Sequence, residues 1–155
     1  MQIVHVATAG QLAQVRTLFE EYWQSFGFTP CFQNFSGELA GLPGEYVPPA
    51  GRLALALVDG QPAGCAALRR FDEERCEFKR LYVRPPYRGM RLGRELLAWM
   101  IAEAKAAGYR ELVCDTMPVM SDALAMYDRA GFQRVPPYSG HPTPGAIFLR
   151  LVLEP

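Results

Sequence analysis

Residues 76–115 read as strand, helix, strand, and this unit constrains the fold more than any other stretch of the chain. CEFKRLYV (76–83) and ELVCD (111–115) are strand-like runs. Between them Leu92, Leu96, Leu97, Met100, Ile101 and Ala104 form one apolar stripe of a helix over 92–107. Gly108 follows at the position where a helix needs a left-handed residue to stop. A strand leading through a helix to a neighbouring strand makes a right-handed parallel crossover, so part of the sheet must be parallel.

The flanking segments add antiparallel strands. LALALV ends at Asp59-Gly60, a tight-turn dipeptide, and PAGCAALRRF then runs to the polar DEER before the 76–83 strand. Gln2 to Ala7 reads as a short strand. Thr8 with Gln11 forms a capping box opening a helix to about Phe26, whose apolar face is Leu12, Val15, Leu18, Phe19, Tyr22 and Trp23. A short helix is expected near Ser36–Ala40, inside a stretch where consecutive prolines favour loop. SDALAMYDRA reads as a helix with Ser121 as N-cap and Gly131 as its stop, and FQRV and AIFLRLVL are the last strands. The expected fold is α/β: a mixed central β-sheet of about seven strands flanked by about four helices. Residues 1–155 suit a single domain of that length. The apolar C-terminal strand fits either the sheet interior or a homodimer interface.

Charge narrows the function classes. The chain carries 16 basic and 16 acidic residues, net zero, whereas nucleic-acid binders carry a basic excess. No apolar run reaches the roughly 18 residues of a membrane span. The start MQIVHVATAG lacks a secretory pattern. Cys31, Cys65, Cys76 and Cys114 form no CxxC pair, and three of them sit in apolar strand-like runs that suit reduced, buried thiols. A cytoplasmic protein without nucleic-acid or membrane partners is the expectation. With His5 and His141 far apart, no metal site is read.

The positive charge is concentrated in one place. Arg75, Lys79, Arg80, Arg84, Arg88, Arg91 and Arg94 face a single acid, Glu77, within twenty residues of sequence. There a strand ends at Val83, a Pro turn follows, and a Gly-punctuated basic loop enters a helix. Outward-pointing amides, the helix dipole and the room left by Gly89 and Gly93 make such a junction an anion site. The competing reading is an ordinary turn with exposed arginines. Neither GxxxxGK[ST] nor GxGxxG is present.

YVRPPYRGMRLGREL resembles motif A of the GCN5-related N-acetyltransferases, Arg/Gln-x-x-Gly-x-Gly/Ala, with Arg88, Gly89, Met90, Arg91, Leu92 and Gly93 in register. Arg91 stands where the middle glycine is usual. ALAMYDRAGF resembles motif B, with Met120 or Ser121 where an Asn often opens it. LPGEYVPP, EFKRLYV, CDTMPVM and PPYSGHPTPGAIFLRL are similar to a bacterial branch of the family.

The resemblance implies an acetyl-CoA-dependent N-acetyltransferase, the coenzyme being a cosubstrate. Its pyrophosphate would lie on the amides of Arg88, Gly89, Met90, Arg91, Leu92, Gly93 and Arg94. Its pantetheine arm would pair with the backbone of Leu81, Tyr82 and Val83, where the strand splays from ELVCD. The acceptor, a primary amine of a small molecule or of a protein, would attack the thioester directly in a ternary complex. Tyr127 is implied as the acid protonating the thiolate, against a role as core aromatic. Glu77 is the candidate base, against a sheet ion pair with Lys79 or an arginine. Simple alternation places Glu77, Lys79, Leu81 and Val83 on one face and Phe78, Arg80 and Tyr82 on the other. Adjacent cations Lys79 and Arg80 at the sheet centre need partners, which points to an acceptor bearing an anionic group. Trp23, Phe26, Phe28, Phe32, Phe35, Tyr46 and Tyr138 are candidate walls of the acceptor site, each weighed against core packing. A coenzyme-binding sensor without turnover is the alternative function.

Overall fold

The computed structural model describes residues 1–25, 35–118, 120–138 and 144–154. Seven strands form one sheet: β1 (Gln2–His5), β2 (Arg52–Val58), β3 (Gln61–Arg70), β4 (Arg75–Val83), β5 (Glu111–Thr116), β6 (Gln133–Val135) and β7 (Ile147–Val152). Four α-helices join them: α1 (Ala9–Ser25), α2 (Phe35–Ala40), α3 (Leu92–Ala106) and α4 (Ser121–Ala130). The strand order is β1-β2-β3-β4-β5-β7-β6. Among the described residues only β4 and β5 pair in parallel, the crossover through α3 that residues 76–115 predict. β7 lies inside the sheet between β5 and β6, which settles the placement of the C-terminal strand.

Local signals act as expected at most boundaries. Thr8 Oγ1 accepts from the Gln11 amide at 3.1 Å, and Gln11 Oε1 accepts from the amides of Ala7 and Thr8, completing the capping box. Asp59 and Gly60 both hold positive φ, as a primed hairpin turn requires. At α4 the expectation fails: Met120, not Ser121, occupies the N-cap, and its side chain makes no capping bond. The Met120 amide closes a turn on the Met117 carbonyl, so the helix starts one residue earlier in phase and Ser121 becomes its first helical residue.

Each face of the sheet buries its own core. On one, Ala54, Ala56 and Ala66 leave room for Leu96, Leu97 and Met100 of α3, with Tyr127 of α4 in the same cluster. On the other, Leu53, Leu55, Cys65 and Ala67 meet Val15, Leu18, Phe19 and Trp23 of α1 and Phe35 of α2. Cys65, Cys76 and Cys114 are free and buried; Cys31 lies outside the described residues.

A β-bulge corrects the alternation expected for β4. Lys79 stands opposite Ala67 and Tyr82 opposite Cys65, so Arg80 and Leu81 together face the single residue Ala66. Arg80 takes up the extra residue at φ 62, a left-handed conformation that L side chains adopt only where surrounding contacts hold it. Lys79, Arg80 and Tyr82 thus share the α1 face with Glu77, while Leu81 and Val83 turn to the α3 face.

Candidate functional site

β4 and β5 pair for three residues and then part. Their ladder ends at Glu77 opposite Val113, although β4 runs on to Val83 and β5 to Thr116. The β5-facing edge of residues 78–83 is left without a strand partner, and the gap opens as a cleft lined by Phe78, Lys79 and Leu81 of β4, Asp115 of β5 and Tyr127 of α4, with Tyr22 of α1 on the far side. The gap therefore communicates between the two faces of the sheet. The bulge lies at its rim.

Beyond β4 the chain makes a 3-10 turn (Pro85–Tyr87) and enters α3 through Arg91, itself left-handed at φ 63. Gly89 is at φ 85, with open space where a Cβ would stand. The first helical backbone bond is donated by Glu95 to the Arg91 carbonyl, and the amides from Gly89 to Arg94 have no backbone acceptor among the described residues. Six consecutive amides at the positive end of a fifteen-residue helix form a cradle for an anion. At Gly93 an added Cβ would meet only ordinary contacts, at 3.8 Å or more. Arg91 and Arg94 sit at the rim, while Arg88 Nε turns back to the Val83 carbonyl at 3.0 Å.

Two of the expected polar residues are already engaged. Glu77, 5% exposed, accepts from Arg69 Nε at 2.8 Å on one oxygen and from the Tyr138 hydroxyl at 2.8 Å on the other, with Lys79 Nζ 4.0 Å away. Arg80 forks onto Glu38 of α2 at 2.8 and 2.9 Å and lies over the Trp23 ring. Burial alone would lower the guanidinium's pKa, but the hydrogen bonds and charge of Glu38 outweigh it and raise it. Burial likewise opposes ionisation of Glu38, and Arg80 again prevails, holding that carboxyl below its usual range.

The remaining groups are less constrained. Burial lowers the Lys79 ammonium's pKa, the Arg80 charge adds to this, and Glu77 offsets it in part. Burial raises the Asp115 carboxyl, only partly countered by Lys79. It raises the Tyr127 phenol well above 10, and that ring packs against Phe78 and Phe132 and lines the cleft.

The structure thus brings together Tyr127, Lys79, Arg80 and Leu81 at the cleft, with Val83 and the 88–94 loop adjoining. Glu77 stands behind the cleft, in contact with it through Lys79. Tyr46 stands apart in the α1-side core, donating to Glu38 at 2.9 Å; Trp23 and Phe35 pack in that core, and Tyr138 packs on Phe71 and Phe148. Phe26, Phe28, Phe32 and His141 lie outside the described residues. Sequence reading missed Glu38, whose partnership with Arg80 spans 42 positions, and Asp115. Asp115 did leave a trace: a lone acid closing an apolar parallel strand, at the strand end where such sheets open a ligand crevice. Among the described residues no three metal-binding side chains converge, and no helix is long and apolar enough to cross a membrane.

Comparison with known proteins agrees with this geometry. Residues 12–132 match the profile of the Acetyltransferase (GNAT) family. An uncharacterized N-acetyltransferase of Schizosaccharomyces pombe is 37% identical over 145 residues, covering 92% of this chain and 89% of that protein. The aminoalkylphosphonate N-acetyltransferase of Salmonella typhimurium is 31% identical over 99 residues, 61% of this chain and 64% of that protein. The solved acetyltransferase of Streptococcus agalactiae shares the fold at TM-score 0.83 and 21% identity, with 98% of each chain covered. An aminoglycoside 6'-N-acetyltransferase solved with coenzyme A shares it at TM-score 0.72 and 14% identity, covering 100% of this chain and 98% of that one.

Proposed function

The chain belongs to the GNAT family of acetyltransferases, and we propose that it acts as one domain over residues 1–155, moving the acetyl group of acetyl-CoA to the primary amine of a small molecule that also bears an anionic group. The parting of β4 from β5 beside a cradle of unpaired amides is the observation that carries this reading. The cradle fits a pyrophosphate: the amides of Gly89 to Arg94 donate to its oxygens, and Arg91 and Arg94 add charge. The unpaired edge of β4 at Leu81, Tyr82 and Val83 fits an amide-bearing pantetheine arm, as a strand edge accepts any extended chain of donors and acceptors. When bound, the coenzyme supplies an activated acyl thioester at the cleft.

Tyr127 holds the proton for the departing thiolate. Its raised pKa keeps it protonated throughout the neutral range, so it donates and does not act as a base, and the same dry surroundings make a thiolate beside it more basic. Lys79 reads the anionic group of the acceptor, because Arg80 is committed to Glu38 whereas among the described residues the ammonium of Lys79 has only Glu77, at 4.0 Å. Glu77, with both oxygens engaged, fixes Lys79 and Arg69. The similarity to an aminoalkylphosphonate N-acetyltransferase supports an acceptor of this kind.

Thiol release from acetyl-CoA, followed with DTNB over a panel containing an aminoalkylphosphonate, an α-amino acid, an uncharged alkylamine and an alanine-terminated peptide, tests the proposal. Release with the anionic amines, lost in their KM but not for the uncharged amine on Lys79→Met, is expected. Saturable coenzyme binding without release for any amine would instead support a sensor.

A further inference from the structure

Asp115 stands near the end of β5, beyond the point where that strand leaves β4. It stands two residues beyond Val113, which is opposite Glu77, so strand alternation turns it to the same face as Glu77 and Lys79. It lines the cleft with Lys79, Tyr22 and Tyr127. Its neighbours' acids are all taken: Glu77 by Arg69 and Tyr138, Glu38 by Arg80 and Tyr46, Glu21 by Arg84 and Tyr82. The Asp115 carboxylate has no side-chain hydrogen bond and no ion pair within 4.0 Å among the described residues, although Lys79 faces it across the gap. A half-buried carboxylate without a partner is costly to the fold and is retained where something else binds it.

We propose that Asp115 is the residue that receives the acceptor's ammonium and takes its proton. The proposal rests on the acetyltransferase reading above and completes it. The cleft then presents one uncommitted anion and one weakly held cation, Asp115 and Lys79, a pair complementary to a compact zwitterion whose ammonium and anionic group lie a few atoms apart. The proton balance is simple. Asp115 accepts one proton from R–NH3+, and the nitrogen lone pair forms the N–C bond to the thioester carbonyl. The C–S bond breaks with its electron pair going to sulfur, and the second nitrogen proton replaces the one that Tyr127 gives to the thiolate. Asp115 finally returns its proton to solvent. The charged and titratable groups facing Asp115 are Glu77, Lys79 and Arg80 from β4, Cys114 beside it on β5, Tyr22 from α1, Tyr127 from α4 and Tyr138 after β6. Of these, the tyrosines stay neutral over the working range, since burial pushes Tyr22 to about 12 and Tyr127 well above 10. Asp115, raised by burial and lining the cleft, sets an acid limb, and the Glu77→Gln variant separates it from any contribution of Glu77.

Asp115→Asn keeps shape and removes only the basic oxygen. With the best amine of the DTNB panel, the substitution should lower kcat/KM about 100-fold at neutral pH, within the range for a lost general base. The wild-type limb, falling as pH drops through the Asp115 pKa, should give way to a rate that climbs tenfold per pH unit towards the amine's own pKa. Coenzyme A affinity, measured by calorimetry, should change less than about 3-fold, and Glu77→Gln should keep an acid limb, moved to lower pH because the Glu77 charge no longer raises Asp115. An Asp115→Asn protein with the wild-type pH profile, or a Glu77→Gln protein without an acid limb, overturns the assignment. Absence of thiol release by the wild-type protein with every amine overturns the acetyltransferase reading itself, and this inference with it.

Discussion

Glu38→Ala is the perturbation whose outcome most directly tests how the site is built. The substitution removes the acceptor of three hydrogen bonds: Arg80 Nε at 2.8 Å, Arg80 Nη2 at 2.9 Å and the Tyr46 hydroxyl at 2.9 Å. The Arg80 side chain is 5% exposed, so water cannot replace what is lost. Removing one partner of a buried ion pair costs about 3–5 kcal/mol, chiefly because the other charge is left without compensation. Taking about 4 kcal/mol and about 2–4 °C per kcal/mol for a chain of this size, Tm falls by about 8–16 °C. The same physics predicts that Glu38→Met with Arg80→Met together costs far less than the two changes summed, because both charges go and the volume stays filled. Urea unfolding of Glu38→Ala and of the four proteins of the Glu38→Met, Arg80→Met cycle, followed by circular dichroism, measures the cost and the coupling. If Glu38→Ala lies within about 1 kcal/mol of wild type, or if the double variant equals the sum of the singles, Arg80 is not held as described.

Acid should act through the same pair. The Glu38 carboxyl titrates lower in the folded protein than in the unfolded chain, so its contribution is complete above about pH 4.3 and fades as pH falls through the folded value, and the stability gap between wild type and Glu38→Gln should narrow there. Asp115 has the opposite sign. Its folded pKa is raised, so stability falls as pH rises through it, and Asp115→Asn should melt at or above the wild-type temperature at pH 7. Gly64→Ala places a Cβ 2.6 Å from the Tyr82 carbonyl, inside a sheet where neither backbone can yield, and should cost about 1–3 kcal/mol by thermal unfolding. Replacing Arg91 and Arg94 by Gln should weaken coenzyme A binding and flatten its dependence on salt, measured by calorimetry between low and physiological ionic strength; an unchanged salt slope would mean the amides alone hold the phosphates.

Local signals carried much of this protein in its sequence. The capping box at Thr8 and Gln11, the Asp59-Gly60 turn and the glycine stops at Gly108 and Gly131 act within a few residues of themselves, so they survive any change of context. The strand–helix–strand unit at 76–115 dictated the one parallel pairing, and the basic, glycine-bearing junction marked the amide cradle, because amide exposure at a helix start follows from the backbone alone. Tertiary structure decided the rest. The bulge at Arg80 depends on the register between β3 and β4, and one extra residue moved Arg80, Leu81, Tyr82 and Val83 to faces opposite those that alternation assigns relative to Glu77. Whether Arg80 or Lys79 is open to a ligand depended on Glu38, 42 positions away on a six-residue helix. Whether Glu77 or Asp115 keeps a usable carboxylate likewise depended on where Arg69 and Tyr138 come to rest. Charge sign is written in the residue; whether a charge is already neutralised is set by what folds against it.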